Sequence, residues 1–275
     1  NAPGNQNIHI ESTLDNLNFP CNSSPIFTVK PIPFVCIGQF FSFNHGAADA
    51  DGDFLSYELI TPMNGYGTTV TYLNPYTKDV PITSSPALAF DTLSGSLSMT
   101  PTAMEVTIFA VKVKQWKNNR LVGYVIRDIQ VRVINCNNSY PYSFGINGSG
   151  TYVTNACVGS PVVFNIYTND IDTTQTLTLG WNNGIAGGVF SITGTKTPTG
   201  TFSWTPGYND IGMHFFTITI KDNNCPINGI MTYAIGIMVN GVNAQTTATS
   251  ASCGINNGRA TVTPTLGTAP YSYLW

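Results

Sequence analysis

The sequence GSLSMTP at residues 95–101 returns as GTFSWTP at residues 200–206. Apolar and polar residues alternate in both copies, as they do in a strand with one buried face. A second matched pair lies upstream, where CIG at 36–38 returns as CVG at 157–159. A repeat of roughly a hundred residues has the size of a whole domain, so the sequence predicts two similar modules.

Short runs rich in Val, Ile, Thr, Phe and Tyr alternate with Gly, Pro, Asn and Asp turns along the chain, and helical periodicity is nearly absent. The runs at 107–115 and 122–134 predict a hairpin that turns across residues 117–120. About seven such runs in about a hundred residues is typical of a sandwich. We therefore predict an all-β chain of tandem immunoglobulin/cadherin-like β-sandwich modules.

Two similar junctions, PCNSSP at 20–25 and NCNNSYP at 135–141, divide the chain. We predict that residues 1–20 end an upstream domain. We call residues 21–134 the first module and residues 135–240 the second module. Residues 241–275 are expected to be the start of a third unit, which the sequence leaves unfinished.

Charged residues make up 9% of the chain and the net charge is −3, against a usual charged fraction of roughly 25%. The polar surface is expected to consist of Asn, Thr, Ser and Gly. No run of Lys or Arg offers a footprint for nucleic acid. No stretch approaches the ~20 apolar residues of a membrane helix, so no direct membrane insertion is predicted.

The cysteines lack both a Cys-x-x-Cys spacing and a neighbouring His, which disfavours zinc binding and redox catalysis. Disulfides, and with them an extracellular location at the cell surface, are the better interpretation. Cys253, the last of the six, is expected to pair with a cysteine beyond residue 275. The six positions are Cys21, Cys36, Cys136, Cys157, Cys225 and Cys253.

The repeat also ranks the possible cysteine pairs. Cys21 matches Cys136 by position and Cys36 matches Cys157. The internally consistent pairs are therefore Cys21–Cys36 and Cys136–Cys157, each of which would close an entry segment onto a first strand. Cys225 competes for Cys157, so the pairing remains a preference.

The turn DADGD at 49–53 places the carboxylates of Asp49, Asp51 and Asp53 at alternate positions around Gly52. Ca²⁺ needs six to eight hard oxygens, and such a turn supplies part of that shell. The alternative is a turn whose side chains bond nearby backbone amides, a role also expected of His45. The second copy, DIDTT at 170–174, lacks the third acid and the glycine.

Catalytic constellations are missing from the sequence. His9, His45 and His214 are far apart, and no Gly-x-Ser-x-Gly elbow occurs. Trp181 and Trp204 fall at apolar strand positions and are predicted to be core residues. The chain is therefore expected not to be an enzyme.

The stretch NHGAADADGDFLSYEL at 44–59, followed by residues 90–101 and 125–131, resembles the cadherin-like and Ig-like modules of large Bacteroidetes surface proteins. The tail at 251–275 is similar to the start of the short repeat in gliding-motility adhesins of the SprB type. The resemblance implies a very long surface or filament protein exported by the type IX system. Its partners would be adjacent modules of the same chain and a surface or glycan ligand.

The same resemblance implies O-glycosylation at Asp followed by Ser or Thr and then a small apolar residue or Thr. Thr92 and Thr173 stand in this pattern, at 91–93 and 172–174. Asn-x-Ser sequons at Asn22, Asn137 and Asn147 are the alternative for a different host.

The favoured function is a non-enzymatic structural segment, the stalk of an extracellular adhesin or filament. One alternative is a set of spacer modules in a secreted carbohydrate-active enzyme. Another is a self-assembling fibre subunit joined through a donated strand or a sheet edge.

Overall fold

The computed structural model describes residues 6–266 and 271–273 of the 275. Within these ranges the regular structure is strand, apart from one 3₁₀ turn at Tyr208–Asp210. No helix in the described part of the chain is long and apolar enough to span a membrane. The predicted all-β class is confirmed.

The first module is a sandwich whose strands are β1 (Ser12–Leu14), β2 (Ile26–Phe27), β3 (Phe34–Cys36), β4 (Phe41–Asn44), β5 (Ala47–Ala48), β6 (Phe54–Ile60), β7 (Met63–Gly65), β8 (Thr68–Thr69), β9 (Ala89–Phe90), β10 (Ser96–Met99), β11 (Val106–Lys117) and β12 (Arg120–Ile134). One sheet has the order β1-β12-β11-β6, with β3 also paired to β12. The other has the order β4-β10-β9, and β2 pairs with β5.

Alternation along the long strands builds the core of the first module. On β11 the side chains of Phe109, Val111 and Val113 are buried inside the sandwich, while Lys112 and Lys114 point the other way. The predicted hairpin is present, with Lys117 opposite Arg120. Its two turn residues, Asn118 and Asn119, have φ of 50° and 60°, as a type I′ turn requires.

The second module has the strands β13 (Tyr142–Ile146), β14 (Val153–Cys157), β15 (Val162–Asn169), β16 (Thr178–Trp181), β17 (Val189–Thr193), β18 (Thr199–Trp204), β19 (Gly212–Lys221) and β20 (Ile230–Asn240). They form two sheets, ordered β13-β15-β18-β17 and β14-β20-β19-β16. Trp204 is buried, and Trp181 packs against Phe202 and Phe216. Both tryptophans are thus core residues, as predicted.

The two modules share the topology of their central strands. An early strand pairs in parallel with the last one in each, β3 with β12 and β14 with β20. The repeated heptapeptides form β10 and β18, each the central strand of a three-strand antiparallel arrangement. The tandem sandwich predicted from the repeat is therefore the observed architecture.

Residues 1–20 were expected to end an upstream domain, but the described part of this segment extends the first module. β1 pairs antiparallel with β12, Ser12 lying opposite Val125. The reason is the length of β12, because β3 pairs only with residues 132–134 and leaves the other half of that edge open. An open strand edge presents unpaired backbone N–H and C=O groups, and a further strand can pair with them.

The predicted pairs Cys21–Cys36 and Cys136–Cys157 are wrong in this structure, where Cys36 is bonded to Cys136 with Cα atoms 5.4 Å apart. Strand register is the physical cause. Cys36 lies opposite Ile134 at the end of the β3–β12 ladder, so the chain brings Cys136 beside it two residues later. The cysteines left free and exposed are Cys21, Cys157, Cys225 and Cys253.

The alternative Cys157–Cys225 pair is also excluded by register. Cys157 lies opposite Asn240 at the end of β20, whereas Cys225 precedes the start of that strand at Ile230. The 11 residues of β20 separate the two ends by roughly 35 Å.

After the second module the chain forms a hairpin of β21 (Asn243–Thr249) and β22 (Arg259–Leu266). Cys253 lies in the connection between them. Residues 267–270 and 274–275, part of the tail that resembles an adhesin repeat, lie outside the described residues. The third unit therefore stays a prediction.

Candidate functional site

The Asp-rich turns of the two modules occupy equivalent places. Both follow the strand that pairs with the repeated heptapeptide, β4 in the first module and β15 in the second. Asp49 and Asp51 correspond in this way to Asp170 and Asp172. In each module the turn faces the segment that leads into the sandwich.

The first turn brings its three acids together. One carboxylate oxygen from each of Asp49, Asp51 and Asp53 lies within 4.8 Å of the others. Asp49 Oδ1 accepts hydrogen bonds from the backbone N–H groups of Asp51 and Asp53, each at 3.0 Å. Gly52 has a φ of 76°, a conformation that glycine adopts without steric cost.

The buried side-chain amide of Gln115 lies beneath this turn. Gln115 is fully buried beside a bulge in β11, and its Nε2 lies 2.8 Å from Asp49 Oδ2, from Asp53 Oδ2 and from the carbonyl oxygen of Ser23. An amide nitrogen carries two hydrogens, so three acceptors cannot all be satisfied. Its Oε1 is buried without a hydrogen-bond partner.

The turn also fastens the incoming segment. Asp51 Oδ2 accepts a hydrogen bond from the backbone N–H of Ser23 at 2.6 Å. Lys117 Nζ lies 3.2 Å from Asp53 Oδ1 and 3.1 Å from Asn22 Oδ1. Burial raises the pKa of Asp49, and the neighbouring charges of Asp53 and Asp51 add to the rise against their backbone hydrogen bonds.

The residues of the first turn fit a hard cation. Asp49, Asp51, Asp53 and the Ser23 carbonyl converge on one position that the Gln115 amide faces. Reversing that amide would place its orphaned oxygen among the acceptors, because the two ends of an amide are nearly isosteric. Four side chains and one carbonyl would then offer oxygen, the ligand atom that Ca²⁺ prefers.

The second turn has a third acid that the sequence analysis missed. Asp222 follows β19 at the place that Gln115 occupies on β11. Asp222 Oδ2 accepts a hydrogen bond from Asn138 Nδ2 at 2.7 Å, and Asp172 Oδ2 accepts one from the backbone N–H of Ser139 at 2.8 Å. Only a comparison of strand registers would have revealed Asp222 in the sequence.

Asp170 is the acid of the second turn that has a buried carboxylate oxygen without a hydrogen-bond partner. Its Oδ1 accepts the backbone N–H of Asp172 at 2.8 Å, but its Oδ2 is buried without a partner. Burial raises the pKa of Asp170, and the charges of Asp222 and Asp172 add to the rise. The second turn is thus more negative than the first, which has Gln115 and Lys117 in the corresponding region.

Both turns clamp a matching Asn-Ser pair in the preceding segment, Asn22-Ser23 and Asn138-Ser139. In the second module this clamp fastens one sandwich to the other. Gln39 of the first module donates to the Asn138 carbonyl at 2.7 Å and accepts from the backbone N–H of Tyr140 at 3.1 Å. The linker is therefore held from both sides.

His45 does not bond the turn backbone as expected. It is completely buried, and neither ring nitrogen has a hydrogen-bond partner. The ring packs edge-on against Phe27 and Phe43, with centroids 6.2 and 5.0 Å away. Burial lowers its pKa to about 3, and the Arg127 guanidinium contributes to the same shift.

The other histidines lie in separate environments. His9 Nε2 is 3.5 Å from a carboxylate oxygen of Glu11, and His214 Nε2 lies 2.8 Å from the carbonyl oxygen of Asp210. Neither is placed beside His45 by any contact within the described residues.

The two candidate glycosylation residues are both exposed in turns. Thr92 follows Asp91, whose Oδ1 accepts the backbone N–H of Leu93 at 2.9 Å. Thr173 follows Asp172 of the second clamp. Exposure makes both hydroxyls accessible, and their modification stays a prediction.

No family model matches the chain, and no characterised protein matches it by sequence. Among solved structures, it is similar to protocadherin gamma B2 extracellular cadherin domains 1–5, at 16% identity and a TM-score of 0.30, covering 83% of this chain and 41% of that one. An endo-fucoidan hydrolase of glycoside hydrolase family 107 matches at 17% identity and a TM-score of 0.27, over 81% and 29%. Titin tandem immunoglobulin domains match at 10% and 0.25, over 80% and 98%.

The chain thus spans less than half of the first two of these structures. With every TM-score at 0.30 or below, the assignment of the modules rests on their own strand topology.

Proposed function

We propose that this chain is a non-enzymatic structural segment that carries tension in the stalk of an extracellular adhesin or filament. The observation that supports it is the parallel pairing of the entry strand with the exit strand of the second module, β14 with β20. The start of one strand and the end of the other lie at opposite ends of such a ladder. Tension on the chain ends would therefore load all of its hydrogen bonds together.

The finer assignment is to a Bacteroidetes surface protein with repeats of the SprB type, exported by the type IX system and glycosylated at Thr92 and Thr173. The Cys36–Cys136 bond supports an oxidising, extracellular location. Intact-mass measurement on material from the native host tests the glycosylation. A mass equal to that of the bare polypeptide would contradict it.

Calcium belongs to the same proposal. Asp49, Asp51, Asp53, the Ser23 carbonyl and a reversed Gln115 would hold the ion, and the ion would stiffen the entry to the first module. Its chemistry would be purely structural, since it would neutralise acids that otherwise repel one another.

Single-molecule pulling on the full chain tests the stalk role, with Cys21, Cys225 and Cys253 replaced by Ser. Handles at the two chain ends should unfold the second module in one high-force step. In the matched control the handles attach to Cys157 and to a cysteine introduced by Val242→Cys, an exposed position just beyond the same end of the β14–β20 ladder. Its hydrogen bonds then break one at a time, so the force should be much lower.

Equal, low unfolding forces in the two pulling geometries would contradict the stalk role. That result would leave the interpretation as spacer modules of a secreted enzyme. Hydrolysis of a polysaccharide by the whole secreted protein would then be the deciding assay.

A further inference from the structure

Two threonines on the outer face of β19 and β20 are buried although they lie outside the sandwich core. Thr217 sits between Phe216 and Ile218, which point inward, so its own side chain points outward. Thr217 and Thr232 are nevertheless only 4% and 0% exposed. The cover is β4 of the first module, whose contacts with β20 join the two sandwiches.

The part of β4 that rests on this face is a free sheet edge. β4 pairs with β10 on one side only. On the other side the backbone N–H of Asn44 donates to Thr232 Oγ1, and the backbone N–H of Ser42 points at Met231 Sδ, 3.4 Å away. Met231 and Thr232 of the second module therefore satisfy donors that an edge strand would otherwise expose.

Short polar side chains complete the contact. Ser42 Oγ donates to the carbonyl oxygen of Thr232 at 3.0 Å, and Thr217 Oγ1 donates to Asn44 Oδ1 at 3.1 Å. Ser42 and Asn44 are 8% and 1% exposed. The surface is thus matched to an uncharged strand edge that carries small hydroxyl and amide groups.

The first module has the same face. Cys36 lies opposite Ile134, and Cys157 lies opposite Asn240, so the last strands of the two modules can be aligned residue by residue. Under this alignment Ile126 corresponds to Thr232. Ala110, which pairs with Asp128 as Thr217 pairs with Ala234, corresponds to Thr217.

This equivalent face is also covered, but by the first module itself. Ala110 and Ile126 are 0% and 7% exposed and lie outside the main core cluster, as does the buried Val70. Val70 and Tyr72 belong to the connection 61–88 between β6 and β9, and Tyr72 donates its hydroxyl to the carbonyl oxygen of Ile108 at 2.8 Å. The corresponding connection in the second module is only 182–188.

We infer that the outer face of these two strands is a docking surface for the free strand edge of a neighbouring sandwich, and that the connection 61–88 is a cap that fills this surface on the first module. A sandwich that precedes the first module cannot therefore pack onto it in the way that the first packs onto the second.

The second module lacks the free strand edge that such packing needs. Its counterpart of β4 is β15, and the edge of β15 is covered by β13, with Tyr142 opposite Asn169. In the first module the corresponding strand β2 pairs only with β5 and leaves β4 free. One module lacks a free face and the other lacks a free edge, so this side-by-side packing ends with the pair.

Matched substitutions in the full chain test the inference, which does not depend on whether the chain bears load. Thr217→Arg places a charge under β4, so the modules should separate. The maximum dimension from small-angle X-ray scattering should rise, and a nonspecific protease should cut the linker 137–141 about tenfold faster. Residues 61–88 should stay protected.

Ala110→Arg places the same charge at the equivalent position under the cap. Protease should then cut within 65–81 about tenfold faster, with no change in the maximum dimension. Ser203→Arg, on the outer face of the opposite sheet of the second module, is the control and should change neither readout. Cleavage sites are read by mass spectrometry.

If either arginine variant fails to fold, the same contacts can be weakened by truncating a residue of β4 or of the connection 61–88. Asn44→Ala should then reproduce the linker cleavage, and Tyr72→Ala the cleavage within 65–81. A folded Thr217 variant with an unchanged dimension and a protected linker would overturn the docking surface. A folded Ala110 variant with a protected connection 61–88 would overturn the cap.

Discussion

At the residue scale, His45 links the packing of the first module to pH. Its ring is completely buried between aromatic side chains, with no acceptor for a proton on either nitrogen. The pKa of His45 in the folded state, about 3, lies below the value near 6.5 of an unfolded chain. The unfolded state therefore binds the proton first as the pH falls.

We expect the contribution of His45 to stability to be complete above pH ~6.5 and to decline as the pH falls from there towards 3. Replacing it by Leu should remove this dependence. The difference in unfolding free energy between the two proteins should change by up to about 1.4 kcal/mol per pH unit in this window. Denaturant unfolding of both proteins at pH 7 and pH 4 measures this difference. The carboxylates contribute equally to both proteins, so their titration cancels. Parallel pH profiles would contradict the prediction.

The glycines that open the repeated heptapeptides are fixed by close packing. A Cβ on Gly95, whose φ is 72°, would lie 2.5 Å from the Tyr57 ring, and one on Gly200 would lie 2.0 Å from the Phe190 ring. Gly95→Ala and Gly200→Ala should each lower the free energy of unfolding by about 1–3 kcal/mol. Gly180→Ala is the control, because nothing lies within 4 Å of its Cβ position. Thermal unfolding of the three variants checks this, and equal melting temperatures would refute it.

At the element scale, the sequence predicts those features that depend on a local pattern of residues. The strands and the 117–120 turn follow from alternation and from two asparagines that tolerate positive φ. The pairing of β1 with β12 and the Cys36–Cys136 bond could not be predicted this way. Both depend on which residues of a 15-residue strand lie opposite a distant segment, and the repeat alone does not define that register.

The same limit applies to the Asp turns. The sequence located Asp49, Asp51 and Asp53 as a cluster because they are neighbours along the chain. Gln115 and Asp222 reach the two turns from a different strand, so no local spacing indicates them. Their equivalence becomes visible only after the two sandwiches are aligned strand by strand.

The disulfide gives the first module a stability that reduction should remove. The bond closes a loop with a sequence separation of 100 residues, which the chain-entropy account values at about 4.7 kcal/mol. Non-reducing peptide mapping should recover Cys36 linked to Cys136. Cys136→Ser should then lower the melting temperature of the first module, whereas Cys225→Ser should not. A map that joins Cys21 to Cys36 would restore the original prediction.

Calcium should stabilise the first module if the first turn binds it. Binding to the folded state alone would add about 2.7 kcal/mol at a hundredfold excess over the Kd, so EGTA should lower the melting temperature. Asp49→Asn should abolish the shift, because Asp49 lies at the centre of the acids. Asp79→Asn, an exposed acid paired with Lys78, should preserve it. A melting temperature insensitive to both Ca²⁺ and EGTA would leave the turn as a clamp held by hydrogen bonds.

At the scale of the whole molecule, three different contacts make one unit of two sandwiches. The linker is bonded covalently through Cys136, its Asn138-Ser139 pair is held by the second Asp turn, and β4 rests on β20. Conformational entropy normally favours relative motion of tandem modules. Here the polar contacts on both sides of the linker oppose it, so the pair should behave as one rigid element within a longer chain.

The Cys36–Cys136 bond also determines how such a unit would extend under tension. Load that enters from the N-terminal side reaches Cys36, crosses the disulfide and leaves at Cys136. Residues 37–135 are bypassed, so this part of the first module should not extend even if its strands separate. The second module has no such bond and should be the part that lengthens.

Pulling on both chain ends in the absence of reductant should therefore show a long extension from the second module and none from residues 37–135. Reduction, or Cys136→Ser, should add an extension of about 330–360 Å, because the sequence separation of 100 residues is released at roughly 3.3–3.6 Å per residue. Cys225→Ser is the control and should extend like the unmodified chain, since Cys225 is free. Two long extensions in the fully oxidised chain would show that load does not pass through the disulfide. A single long extension would show that oxidation limits how far this segment can stretch, because it removes residues 37–135 from the extensible length.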